Sequence, residues 1–153
     1  MQCQGGAKNP VIILPDADPE AAAGAVAASV FDCGAQRCFA ASHAITVADA
    51  HGPFAEAIAG AARSRKVGYG HDEGTQMGPV ITAESKTRVE GLIQTAVDEG
   101  ARPLVDGRGA SIPGYPRGYF VKPTVLDGLD PGGEVARSEV FGPVLGLLRV
   151  GDI

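Results

Sequence analysis

Short apolar runs alternate along this chain with segments that have the patterns of helices. Val11-Ile12-Ile13-Leu14 is typical of a strand buried on both faces, and Ala44-Ile45-Thr46-Val47 and residues 144–150 are similar. Helices are predicted from Pro19 to about Asp32 and from Pro53 to Arg65. Strands that alternate with helices usually form parallel sheets. The chain is therefore predicted to have an α/β fold, a largely parallel sheet flanked by helices.

Local signals indicate where these elements begin and end. Asp18 is predicted to cap the first helix ahead of Pro19, and Gly34 to stop it. Thr82 is predicted to cap a third helix, which ends at Gly100. The other predicted extended segments are Leu104-Val105, Tyr119-Phe120-Val121 and Thr124-Val125-Leu126, with Gly-rich loops over 67–79 and 107–118.

Size and charge narrow the class of protein. A chain of 153 residues suits one domain. Its net charge of −5 argues against nucleic acid as a partner, because binding to phosphates requires positive charge. No apolar run approaches the roughly 20 residues that cross a bilayer, and the N-terminus lacks the pattern of a signal peptide. Three cysteines, an odd number, favour a reducing compartment over a disulfide framework. We expect an intracellular, cytoplasmic protein without a membrane or nucleic-acid partner.

Two cysteines near the end of the first predicted helix differ in what they suggest. Cys38 follows a break at residues 34–36, and the neighbouring Arg37 can increase its thiolate fraction, although most cysteines are small buried hydrophobes. Cys33 falls inside the predicted helix, where it is either core filler, which we favour, or a resolving thiol for Cys38.

Metal binding receives no support from the sequence. There is no Cys-x-x-Cys pair, and the histidines lack the spacing of zinc ligands. We predict that all three lie on the surface rather than act as ligands or bases: His43, His51 and His71.

A series of motifs resembles the aldehyde dehydrogenase superfamily, in the family's order and over almost the whole chain. They are Gly6-Ala7-Lys8-Asn9, Pro15-Asp16-Ala17-Asp18, Ala35-Gln36-Arg37-Cys38, Met77-Gly78-Pro79, Gly118-Tyr119-Phe120-Val121, Pro123-Thr124-Val125 and Glu139-Val140-Phe141-Gly142-Pro143-Val144. The resemblance implies that the fold is of the aldehyde dehydrogenase catalytic-domain type. It also implies that Ala35 replaces a common glycine, which would strain the loop if the backbone there has a positive φ.

The resemblance implies a role for three residues. Cys38 would attack the aldehyde carbon, and its own backbone N–H would form part of an oxyanion hole. Glu139 would bind the hydroxyl groups of the nicotinamide ribose of NAD, and Phe141 would pack near the nicotinamide.

Within the superfamily the chain most resembles the CoA-acylating methylmalonate-semialdehyde dehydrogenase branch. Gly6-Ala7-Lys8-Asn9 replaces the commoner Gly-Gly-Lys-Ser, and Val105-Asp106-Gly107-Arg108-Gly109 is characteristic. Gln4 stands where hydrolytic members have a glutamate that activates water as a general base. Because an amide cannot accept a proton at neutral pH, the thioester is expected to persist until coenzyme A takes the acyl group. Arg37 is either a clamp for the carboxylate of a small semialdehyde substrate or a structural or pKa-lowering neighbour.

The resemblance also implies how the chain relates to the complete family fold. Residues 1–153 correspond to a partial catalytic domain, truncated at both ends, and we see no Gly-x-Gly-x-x-Gly motif for the upstream NAD-binding domain. The C-terminal oligomerisation segment, through which family members form homo-oligomers, is also expected to be missing. Turnover by the isolated chain is therefore not expected. Two alternatives stay open: a non-catalytic remnant that associates with full-length subunits, and a thiol-dependent hydrolase.

Overall fold

A computed structural model describes residues 1, 3 and 5–152 as five strands and four α-helices. In chain order the elements are β1 (Asn9–Ile13), α1 (Pro19–Phe31), β2 (Ala41–Val47), α2 (His51–Ser64), α3 (Ala83–Asp98), β3 (Arg102–Val105), β4 (Thr124–Asp127), α4 (Glu134–Arg137) and β5 (Val144–Val150). The strands form one sheet in the order β1-β2-β5-β4-β3, parallel except for β3 at one edge. The predicted α/β fold with a largely parallel sheet is confirmed.

The predicted helix caps are present. The Asp18 side chain accepts a hydrogen bond from the Ala21 N–H, and Thr82 accepts one from the Ser85 N–H. Gly100 follows α3 with a φ of 103°, the left-handed conformation that ends many helices. These signals act within a few residues of the chain, which is why the sequence predicts them well.

Helices cover both faces of the sheet. Successive strand residues point to opposite faces. Accordingly, Val125 and Leu145 belong to the same buried cluster as Phe54 of α2. Their neighbours Leu126 and Val144 belong to a second cluster with Ile93 of α3. The helices α1 and α2 thus pack on one face of the sheet, and α3 and α4 pack on the other.

Some predicted boundaries are wrong. β2 begins at Ala41 rather than Ala44, and residues 119–121 belong to no strand. The short helix α4 was not predicted, because four residues are too few to show a hydrophobic period. Helix α1 ends at Phe31, so Cys33 lies outside it.

The predicted surface location is wrong for one histidine and incomplete for another. His43 is 8% exposed in β2, the second strand of the sheet, and its Nε2 lies 3.1 Å from the Ala136 carbonyl oxygen. His51 is partly buried between Thr46 and Asp127, while His71 is exposed as predicted. Strand pairing across the sheet buries His43, and the local sequence does not show that pairing.

Candidate functional site

Residues from distant parts of the chain meet at the amino ends of three parallel strands. Lys8 precedes β1, Cys38 precedes β2, and Glu139 and Phe141 precede β5. β2 pairs in parallel with both β1 and β5, so the amino ends of the three strands lie side by side. They form the edge of the sheet that runs across the strands. Arg37, Glu139 and Phe141 line one cleft there. The fold therefore gathers Cys38, Arg37, Glu139 and Phe141 around one edge.

The loop before Cys38 has an unusual backbone. Cys33, Gly34 and Ala35 have φ values of 54°, 60° and 55° within a 3₁₀ turn that spans Asp32–Ala35. A side chain in this left-handed region costs about 1–2 kcal/mol, because its Cβ crowds the backbone. The strain predicted at Ala35 is therefore present, and Cys33 shares it. The Gln36 side chain supports the turn by donating to the Cys33 carbonyl oxygen at 3.2 Å.

Both cysteines of this segment are exposed. For Cys38 this agrees with a reactive thiol, since a nucleophile must be reached by its substrate. For Cys33 it contradicts the favoured interpretation as core filler. The chain leaves α1 at Phe31 and turns sharply, so Cys33 does not continue the buried face of the helix.

Arg37 lies against the end of α1. Its Nη2 donates to the Ser29 carbonyl oxygen at 3.0 Å and to that of Ala28 at 3.3 Å, and its guanidinium carbon lies 5.3 Å from the centre of the Phe39 ring. The Ser29 carbonyl group lies in the last turn of α1, where carbonyl groups lack intrahelical donors, whereas the Ala28 carbonyl group also accepts from the Asp32 N–H. The Nε is buried, with no hydrogen-bond partner in the part of the chain that the structure describes. Arg37 thus has a structural role at the end of α1.

The backbone of the cofactor motif is held from α3. Arg88 donates through Nη1 to the Glu139 carbonyl oxygen at 3.2 Å and through Nη2 to the Val140 carbonyl oxygen. Phe141 has a φ of 49° and is 39% exposed, so its ring is available to a ligand. Sequence reasoning missed Arg88, because a long-range contact of a helix arginine leaves no local pattern.

The carboxylate of Glu139 lies beside a glycine backbone. A Cβ at Gly6 would lie 3.7 Å from Glu139 Oε2, so the backbone at Gly6 passes close to this group. The half-buried side chain of Lys8 follows two residues later. Gln4, the predicted determinant of acyl transfer, lies outside the described residues.

Burial lowers the pKa of two basic groups at this edge. It brings the pKa of Lys8 from 10.5 to about 8, although the nearby Glu139 carboxylate opposes the shift. Burial, followed by the charge of Lys8, lowers the pKa of His43 below 6.5, so that ring is neutral at pH 7. Glu139, Lys8 and His43 therefore interact electrostatically, a grouping that the sequence does not predict.

Labelling of Lys8 by acetic anhydride should show a pH midpoint near 8, because only the neutral amine reacts. In Glu139→Gln the midpoint should fall further, since the negative charge that stabilises the ammonium is gone. Mass spectrometry of the labelled peptides at a series of pH values measures both. A midpoint above pH 10 in the natural sequence, or no change in the variant, would contradict this description.

An exposed cysteine, a half-buried glutamate and an exposed phenylalanine therefore lie at one edge of an α/β domain with a largely parallel sheet. The sequence profile described as "Aldehyde dehydrogenase family" matches residues 1–153. The chain belongs to the aldehyde dehydrogenase family.

Similar proteins refine this assignment. The chain is 41% identical over 145 residues to the acylating, mitochondrial methylmalonate-semialdehyde dehydrogenase of Arabidopsis thaliana, covering 95% of this chain and 24% of that protein. It is 35% identical over 157 residues to the malonate-semialdehyde dehydrogenase of Pseudomonas aeruginosa, covering 100% of this chain and 31% of that protein. The chain thus spans 24% and 31% of the length of these two relatives.

Solved structures agree with the predicted fold type. The methylmalonate-semialdehyde dehydrogenase of Oceanimonas doudoroffii has a TM-score of 0.93 and 38% identity, covering 97% of this chain and 31% of that one. A variant of aldehyde dehydrogenase C from Pseudomonas syringae, complexed with NAD⁺ and octanal, has a TM-score of 0.88 and 31% identity, covering 95% of this chain and 30% of that one. Within the described residues, no helix combines the length and apolar character needed to span a membrane.

Proposed function

We propose that this chain provides the nucleophile and the nicotinamide-side contacts of an NAD-dependent, CoA-acylating methylmalonate- or malonate-semialdehyde dehydrogenase. The observation that carries the proposal is the exposed Cys38, on a strained loop at the same sheet edge as Glu139 and Phe141. The names of the relatives from Arabidopsis thaliana and Pseudomonas aeruginosa support this substrate class.

The residues present fit NAD. The Glu139 carboxylate lies beside Gly6, where there is no side chain, and Phe141 presents an exposed ring. Glu139 would accept hydrogen bonds from the ribose hydroxyl groups, and Phe141 would pack against the nicotinamide. When bound, NAD supplies the acceptor for the hydride.

Cys38 would carry the acyl group. Its thiolate adds to the aldehyde carbon to form a thiohemiacetal, and loss of hydride from that carbon leaves a thioester on the sulfur. In the part of the chain that the structure describes, the Cys38 N–H donates to no protein group, so it can stabilise the oxyanion. The thiol of coenzyme A then attacks the thioester, which forms acyl-CoA and frees Cys38. The substrate carboxylate leaves as carbon dioxide during the overall reaction.

Two further residues would determine which substrate binds and which product forms. Arg37 would offer its guanidinium to the substrate carboxylate, although its Nη2 is occupied by α1 carbonyl groups and its Nε is buried. The amide of Gln4 cannot act as a general base that activates water. The thioester would therefore react with the thiol of coenzyme A instead of being hydrolysed. We infer a homo-oligomeric assembly and a cytoplasmic location from the resemblance and from the sequence, respectively.

The dependence on coenzyme A tests the proposal. Expressed from its natural gene, the protein should oxidise malonate semialdehyde continuously with NAD and CoA. Without CoA it should release no more than about one NADH per active cysteine before slowing, because the thioester accumulates. Absorbance at the NADH band and mass spectrometry of the acyl-CoA product measure this.

Gln4→Glu should raise CoA-independent turnover, since a glutamate can activate water. Equal rates with and without CoA in the natural sequence, with a free acid as product, would instead indicate a hydrolytic dehydrogenase. Absence of NADH with an intact Cys38 would favour a non-catalytic chain that associates with complete subunits. Esterase activity without NAD would indicate a thiol hydrolase.

A further inference from the structure

Asn9, the first residue of β1, makes two hydrogen bonds to the loop that carries Cys38 and two to Ser42 of β2. Its Nδ2 donates to the carbonyl oxygens of Cys38 at 2.8 Å and of Ala40 at 3.0 Å. Its backbone N–H donates to Ser42 Oγ at 3.0 Å, and the Ser42 hydroxyl donates to the Asn9 carbonyl oxygen at 3.3 Å. These contacts join residues about 30 positions apart.

A register shift explains why side chains form these bonds. Asn9 is opposite Ala41 whereas Pro10 is opposite His43, so Ser42 is an extra residue in β2 at this point. The Ser42 hydroxyl provides the hydrogen bonds to the Asn9 backbone that regular pairing would provide. The Asn9 amide reaches past this bulge to Cys38 and Ala40. The two pairs of bonds thus have separate jobs: Ser42 joins the strands, and the amide holds the loop.

We propose that Asn9 is a positioning residue for the Cys38 nucleophile, an inference that depends on the proposed function of Cys38. Both hydrogens of the Asn9 amide nitrogen are used, one for each carbonyl group. They hold the peptide plane that follows Cys38, and this orients the sulfur and the Cys38 N–H relative to the substrate. The strained turn that precedes Cys38 increases the need for such a restraint.

The test compares two perturbations of the same junction. Asn9→Ala removes the amide, and Asn9→Asp keeps its shape without its hydrogens. Ser42→Ala is the matched control, because it removes the two other bonds and leaves the amide in place. For protein expressed from the natural gene, both Asn9 variants should lower kcat roughly 10- to 100-fold with KM for the aldehyde within about threefold. Ser42→Ala should lower the melting temperature with kcat within about threefold.

Alkylation of Cys38 by iodoacetamide gives a readout that needs no turnover. Its rate relative to the exposed Cys33, followed against pH by peptide mass spectrometry, should change at least about fivefold in both Asn9 variants and stay constant in Ser42→Ala. If an Asn9 variant does not fold, exchange of the Asn9 amide hydrogens in the natural protein decides: slow exchange supports the proposal.

Several results would overturn the positioning role. They are an unchanged kcat and alkylation ratio in Asn9→Ala, equal losses of kcat in Ser42→Ala, or fast exchange of the Asn9 amide hydrogens. A failure of the proposed dehydrogenase function is recognised separately, since it would leave turnover independent of Cys38 while the alkylation ratios still report on Asn9.

Discussion

A Cys38→Ala variant of the protein expressed from its natural gene is expected to form no NADH from malonate semialdehyde in the presence of NAD and CoA. The proposed reaction passes through two covalent states on this sulfur, and an alanine can form neither. The loss should be roughly 10⁴-fold or more, as for other enzymes that lose a covalent nucleophile. Binding of NAD should persist, because Glu139 and Phe141 are untouched. A continuous NADH assay and a fluorescence titration with NADH measure the two effects.

Cys33→Ala is the matched control for this experiment. Cys33 is also exposed, lies five positions earlier and has a φ of 54°, so alanine there is no more strained than cysteine. This variant should retain at least about half of the activity, since surface substitutions have small effects. Loss of activity in Cys33→Ala with retention in Cys38→Ala would assign the chemistry to the other thiol.

Gly107→Ala is expected to destabilise the fold strongly. A Cβ at this position would lie 1.8 Å from the Lys122 carbonyl oxygen and 2.9 Å from Thr124 Oγ1. The same backbone accepts from the Lys122 N–H and donates to Thr124 Oγ1, so a shift that relieves the clash breaks both hydrogen bonds. We expect a loss of about 3 kcal/mol in unfolding free energy. The melting temperature should fall by roughly 6–12 °C, measured by circular dichroism.

Gly91→Ala provides the control with the opposite sign. Gly91 lies inside α3, and a Cβ there meets nothing within 4 Å. Alanine should therefore raise the unfolding free energy by about 0.5–1 kcal/mol, because it restricts the unfolded chain. Equal stability of Gly107→Ala and the natural sequence would show that residues 107 and 122 are not in contact as described.

Gly107 belongs to a sequence motif whose structural role depends on tertiary contacts. Val105-Asp106-Gly107-Arg108-Gly109 resembles the methylmalonate-semialdehyde branch in sequence. Only the structure shows that Gly107 is buried against the segment that leads into β4. The side chain of Asp106 bonds the guanidinium of Arg108, which lowers the pKa of that carboxyl group.

Several site features were beyond prediction because they depend on contacts between distant segments. The sequence predicts strain at Ala35 only if the backbone there has a positive φ, and it does not predict the same strain at Cys33. Arg37 was predicted as a neighbour of the thiol, but its contacts with the α1 carbonyl groups follow from the direction in which the chain leaves the helix. His43 is predicted on the surface because the apolar run of its strand begins only at Ala44, whereas β2 begins at Ala41 and includes His43.

The sequence by itself determined the elements and their class. Caps at Asp18 and Thr82, apolar runs and ordered motifs act over a few residues, so they can be read without knowing what packs against them. The tertiary structure decided which of these elements meet. Parallel pairing of β2 with β1 and β5 brings Lys8, Cys38 and Glu139 to one edge of the sheet. The bulge at Ser42 brings the Asn9 amide to the Cys38 carbonyl group. Hydrogen bonds and burial between residues far apart in the chain depend on the whole fold, and that is why they leave no local signal.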